Sequence, residues 1–240
     1  MKRILWTSLL TVALNLSAPA ALYTYDYSSG FQNSGVIPDG SVNGWSDTRT
    51  ISGLSGIIQD VNVCVNVSGG ANSDLYAYLS FNNGSVILLN RIGKTANNPL
   101  GSPTAGFGTS GVLTSFRFDD AAATDIHSVS GAVGNPVTGN YQPDGRTADP
   151  ALVLDTSDRV TSLASFNNAS PNGEWTLFFS DTVGGNSPST LLGWSLEITA
   201  VPEPVNVALS IFGGVFLVVI ISRSQQVRTL LRRWRAAAGQ

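Results

Sequence analysis

The chain has 240 residues and a formal net charge of −3, which averages two regions of opposite sign. Residues 21–199 carry six basic side chains (Arg49, Arg91, Lys94, Arg117, Arg146, Arg159) against fifteen acidic ones, a net charge of −9, while the last residues are arginine-rich. That acidity excludes nucleic-acid binding, which depends on neutralising phosphate, and the single cysteine, Cys64, excludes a disulfide framework within the chain.

At the start, Lys2 and Arg3 precede an apolar run from Ile4 to Leu16, and Ala18-Pro19-Ala20 places small residues where a signal peptidase reads them. Residues 1–20 are therefore expected to be a secretory signal, cut after Ala20 and set apart from the fold. Residues 21–199, roughly 180 in number, suffice for one domain with a substantial core.

The periodicity of this domain is that of strands. Asp60 to Val67 alternates apolar and polar residues with a period of two, as a half-buried strand does. Cys64 falls on the face opposite Val61, Val63, Val65 and Val67, where it reads as an inert small residue, with an intermolecular disulfide as the alternative. Leu75 to Phe81 follows a Gly69-Gly70 break. Asn82-Asn83-Gly84-Ser85 then supplies an Asn-Gly pair suited to positive φ in a tight hairpin, and residues 85–90 return as the partner strand. Further strands are expected at Thr114 to Phe118, Glu174 to Ser180 and Trp194 to Thr199. Asn97 to Gly111 and Gly131 to Pro150 read as long loops, the second with a turn cluster from Gly139 to Gly145. Trp175 alternates with Leu177 and Phe179, and Trp194 with Leu196 and Ile198, which makes both tryptophans core candidates worth a few kcal/mol each, about the value of any large buried apolar side chain. Abundant glycine and short turn spacing favour a sandwich or jelly roll of short strands.

Enzyme chemistry has few parts to draw on. His127 is the only histidine, no serine sits in a nucleophile elbow, and zinc would find one histidine and one cysteine. Most acids stand in turn contexts such as Pro38-Asp39-Gly40, Pro143-Asp144-Gly145 and Ala148-Asp149-Pro150, so a carboxylate pair for glycoside hydrolysis is not favoured. Calcium, which takes six to eight oxygens, is the more reasonable ligand. Asp74, Asp119, Asp120 and Asp181 are its candidate ligands, although no EF-hand spacing is present.

After Thr199, residues 200–204 form a short stalk ending in Pro202-Glu203-Pro204. An uncharged apolar run follows from Val205 to Ile221. Seventeen residues at ~1.5 Å rise cover roughly 25 Å, so residues 205–222 are expected to be a single transmembrane helix. Arg223, Arg228, Arg232, Arg233 and Arg235 make residues 223–240 a basic tail that stops transfer and stays on the cytoplasmic side.

The ordered triplet of Pro202-Glu203-Pro204, apolar run and arginine cluster resembles the PEP-CTERM sorting signal of exopolysaccharide-producing Gram-negative bacteria. In that family a membrane-embedded exosortase recognises the signal and cleaves near it. The resemblance implies an exosortase substrate that is exported, held in the inner membrane with its domain outside the cytoplasm, and then passed to the cell surface or extracellular matrix, with extracellular polysaccharide as a candidate partner.

A second resemblance, over roughly Trp45 to Thr199, is to the P-domain, or homo B domain, of kexin-like and furin-like proprotein convertases and of bacterial proteases. It rests on Ile57 to Val63, Asp74-Leu75, Ser85 to Arg91, Phe118-Asp119-Asp120-Ala121-Ala122, Phe166, Pro171 to Leu177, Asp181 and Gly193-Trp194-Ser195-Leu196, with Leu22 to Gly44 supplying a first strand. Ser73 stands where the family commonly has glycine. The resemblance implies a jelly-roll β-sandwich, and calcium in some members. The resulting expectation is an all-β, P-domain-like sandwich with one C-terminal helix, exported and non-enzymatic. Two alternatives stand beside it: a glycan- or protein-binding adhesion module, calcium-dependent or not, and a P-domain acting in trans as a protease accessory.

Overall fold

Nine strands build the region Ala20–Val201, one of two compact units into which the chain divides. The computed structural model describes residues 19–237, without the side chains of 204–210, 227 and 229–237. The expected signal sequence, but for Pro19 and Ala20, lies outside the described residues.

In chain order the strands are β1 (Ala21–Tyr27), β2 (Ser41–Ile51), β3 (Ile57–Ser68), β4 (Leu75–Phe81), β5 (Gly84–Asn90), β6 (Phe116–Phe118), β7 (Gly139–Tyr141), β8 (Gly173–Asp181) and β9 (Thr190–Val201). They form a five-stranded sheet of order β1-β9-β3-β6-β7 and a four-stranded sheet of order β2-β8-β4-β5. All pairs are antiparallel except β6 with β7. The result is a two-sheet sandwich.

Period-two alternation explains the core. Leu75, Ala77, Leu79 and Phe81 of β4 and Trp175, Leu177 and Phe179 of β8 point inward, opposite Val61, Val63, Val65 and Val67 of β3 and Leu196 and Ile198 of β9. Trp175 and Trp194 are fully buried. The Trp175 ring stacks on its cross-strand neighbour Phe81 with centroids 3.9 Å apart, and its Nε1–H donates to the Pro171 carbonyl at 3.1 Å. Trp194 Nε1–H donates to Asp47 Oδ2 at 2.7 Å, tying the second sheet to the first. Truncating either indole should cost about 3–5 kcal/mol.

Several local readings change. β2 and β7 had no forecast of their own; β2 carries polar Asp47 and Arg49 between Trp45 and Ile51, and β7 occupies a stretch that reads as a turn cluster. The β4–β5 turn is Asn82-Asn83, with positive φ at Asn82 (53°), while Gly84 already pairs with Phe81 as the first residue of β5. Gly44 marks the register shift in β2: its φ is +61°, and a Cβ there would lie 2.3 Å from the Phe179 carbonyl oxygen. Only glycine fits without moving that strand.

Cys64 is fully buried although it faces away from the valines. Arg117, its cross-strand neighbour, reaches Glu197 at 2.9 Å on that same outer face. Burial, then the Glu197 charge, pushes the thiol up to about 12. A neutral, enclosed thiol is a poor partner for an intermolecular disulfide.

The C-terminal segment is one helix, α1 (Pro204–Ala237), running through both the expected span and the expected separate tail. Among the described residues no helix is long and apolar enough to cross a membrane, so the expected span at 205–222 is not supported.

Candidate functional site

The four-stranded sheet turns an open groove of about 510 Å³ outward. The alternation that sends Ala77 and Leu79 into the core leaves Tyr76 and Tyr78 on the opposite face of β4, and Phe178 on that of β8. The Tyr78 and Phe178 rings, cross-strand neighbours, stack at 4.7 Å and 14°, and Tyr76 meets Tyr78 edge-on at 6.2 Å. Val42 lies at one rim, 74% exposed. Arg91 and the segment Asp149-Pro150-Ala151 close the other side. Neither tyrosine hydroxyl has a hydrogen-bond partner among the described residues. Burial, then the neighbouring Tyr78 hydroxyl, raises the Tyr76 phenol above its ordinary value.

That far wall rests on a buried charge cluster. Asp144, fully buried, accepts from His127 Nδ1 at 2.7 Å, from the Asn90 backbone N–H at 3.2 Å and from Arg146 Nη1 at 3.2 Å. Arg146 Nη1 also meets Asp125 at 2.8 Å, and Asp125 caps the short turn Ile126–Ser128 by accepting from the His127 N–H. His127 Nε2 lies 2.9 Å from the Lys94 carbonyl oxygen. Both contacts of the imidazole are to pure acceptors, so both nitrogens must carry protons for both bonds to form. Burial lowers the imidazole, but the hydrogen bond and charge of Asp144, with the Lys94 carbonyl, outweigh it and hold His127 above its ordinary value. The Lys94 ammonium donates to the Pro150 and Ala151 carbonyls, and Asn90 Nδ2 to those of Arg146 and Ala148. The cluster thereby positions the groove wall. Asp144 sits in a Pro-Asp-Gly context that reads as a plain turn; the lone His127 was the one hint of its partner.

The four candidate calcium ligands do not converge. Asp120 places both oxygens on the N–H groups of Leu163 and Ala164, and Asp119 accepts from the Ala121 N–H. Asp74 and Asp181 do come together, where β4 begins beside the end of β8. Asp74 accepts from Asn186 at 2.8 Å and lies 3.9 Å from Arg91. Asp181 is fully buried, with the Val183 and Gly40 backbone N–H groups beside it and, among the described residues, no hydrogen-bond partner for Oδ2. Burial raises its carboxyl above the ordinary value, and the charges of Asp74 and Asp39 add to that rise. Among the described residues no group of three or more histidine, cysteine or acidic side chains is arranged to hold a metal. A cation here would have to compete with the Arg91 guanidinium beside Asp74.

At the seam between the sandwich and α1, Val201 is the last strand residue and Pro204 the first helical one. Pro202 and Glu203 belong to neither element and both are exposed. Arg223 and Arg228 are exposed on α1; the side chains of Arg232, Arg233 and Arg235 are among those not described.

No family model and no curated protein matches the chain. Among solved structures it is similar to a complex of an Aeromonas sobria serine protease with a chaperone, at 16% identity and a TM-score of 0.44, over 77% of this chain and 28% of that one. A second structure of the Aeromonas sobria serine protease is 14% identical with a TM-score of 0.42, over 76% and 27%. The chain therefore spans less than a third of the length of the proteins it resembles, and neither similarity is strong enough to establish a shared fold or activity.

Proposed function

We propose that this is an exported, non-enzymatic surface or matrix protein whose P-domain-like jelly roll is delivered by a PEP-CTERM-like C-terminal signal and released by an exosortase. The observation that supports the reading is that Pro202 and Glu203 are exposed and belong to neither the last strand nor the helix, in a segment whose backbone a processing enzyme can reach. In this reading the run from Val205 to Ile221 engages the inner membrane during export, and the arginines beyond it set the orientation. The non-enzymatic part is supported by His127, whose two nitrogens are both engaged and therefore leave no lone pair for a general base.

The test is fractionation of the native host. Glu203→Ala combined with Pro202→Ala should leave the domain at least tenfold depleted from the surface and medium and retained with the membranes. Unchanged release would overturn the sorting role of the motif.

A second reading, a binding module displayed by the same route, is favoured by one specific observation: three aromatic rings line an open groove on the outer sheet face. Nothing in the geometry favours the accessory-protease reading over these two.

A further inference from the structure

We infer that the outer groove of the four-stranded sheet is a carbohydrate-binding site for a neutral, hydroxyl-rich polysaccharide chain. The inference rests on the binding-module reading and names its ligand class.

An aromatic surface rimmed by polar side chains on an outer sheet face is a place where a ligand can dock. Here Tyr76, Tyr78 and Phe178 form one continuous wall. Sugar rings carry apolar C–H faces that pack against such surfaces, and hydroxyl groups around their rims. The groove supplies partners for both. The Tyr76 and Tyr78 hydroxyls are uncommitted. Arg91 is anchored through Nε to the Ser73 carbonyl at 2.9 Å, and its Nη groups have no partner closer than Asp74 at 3.9 Å. Asp149 uses one oxygen to accept from the Ala151 N–H, and its second oxygen accepts nothing among the described residues. A planar donor and a carboxylate acceptor on the same wall match adjacent hydroxyl groups, which donate and accept at once. The volume lies within the range of small-molecule sites.

Two other ligand classes fit less well. An extended peptide gains its affinity by adding to a free sheet edge. The groove instead lies over β4 and β8, whose backbones are already paired on both sides. A polyanion would meet a domain of net charge −9, and Arg91, the cation among the groove's lining residues, already lies 3.9 Å from Asp74. Charge therefore selects a neutral chain.

The experiment is affinity electrophoresis and calorimetry of the full chain in detergent against neutral hexose polymers (laminarin, dextran, mannan) and a polyuronate (alginate). At least one neutral polymer should bind, with little change between low and high salt. Tyr78→Ala and Phe178→Ala should each weaken binding tenfold or more, and Asp149→Asn, on an exposed loop that need not affect folding, about threefold or more. Leu22→Ala, exposed on edge strand β1 of the other sheet, is the control, and overlapping melting curves establish that each variant is folded. Binding that survives both aromatic substitutions would overturn the site. Salt-sensitive binding to alginate alone would overturn the ligand class and leave the binding-module reading standing. Silence toward every polymer would overturn that reading as well, without touching the sorting signal, which is read by fractionation.

Discussion

Asp144 and Asp181 are both fully buried carboxylates in the same sandwich, yet they are treated in opposite ways. Asp144 faces a protonated imidazole and a guanidinium, and each of its oxygens accepts hydrogen bonds. Asp181 faces Asp74 and Asp39 and, among the described residues, has no cation within bonding distance and no partner for Oδ2. Burial is thus not what fixes the role of an acidic side chain. The role follows from whether its charge is answered: Asp144 is a structural linchpin behind the groove wall, and Asp181 is a held strain at the sheet end.

The contrast makes ordered predictions. Asp144→Ala removes one partner from a buried ion cluster and should cost about 3–5 kcal/mol, read by denaturant unfolding. A loss under 1 kcal/mol would show that Arg146 and His127 re-pair without it. His127→Phe keeps much of the volume but removes a donor to Asp144 and one of the two donors to the Lys94 carbonyl, which retains the Asp155 N–H, so about 1–3 kcal/mol should be lost near neutral pH. Asp181→Asn should lie within about 1 kcal/mol of the parent at neutral pH, and on the stabilising side, since it removes a charge that nothing neutralises. A large loss there would mean that the carboxylate has a partner in solution.

Stability against pH sharpens the same comparison. His127 is raised in the folded state, so its contribution is complete below its unfolded value of about 6.5 and is lost as pH climbs through the folded value. Asp181 is also raised, so its penalty is complete above the folded value and is relieved as pH falls toward the ordinary carboxylate range. Both groups make the sandwich more stable on the acid side of neutral. Melting temperatures across pH 4.5–8 should fall with rising pH; His127→Phe should flatten the upper part of the curve and Asp181→Asn the lower part.

Much of the sandwich can be read from alternation alone, because β3, β4, β8 and β9 pair period-two patterns with turn residues at their ends. β2 escapes that reading because its inward positions include Asp47, buried only by virtue of Trp194 and Arg49 from distant or neighbouring sequence. β7 escapes because three residues in a parallel bridge carry no period. The groove was half legible: Tyr76, Tyr78 and Phe178 fall at the solvent positions of strands whose other face is apolar, an anomaly visible in sequence. Its second wall was not legible, since the segment carrying Asp149 is held through the Ala148 and Pro150 carbonyls by Asn90 and Lys94, more than fifty residues away. The same non-locality hid the Asp144 cluster behind a Pro-Asp-Gly turn.

The seam between sandwich and helix carries the account of how the domain is delivered, and the intact mass of the mature protein isolated from its native host tests it most directly. The account predicts a chain lacking the signal sequence and ending at or close to Pro202-Glu203-Pro204, with α1 absent. Recovery only of a chain still ending at Gln240, from an exosortase-competent strain, would contradict it.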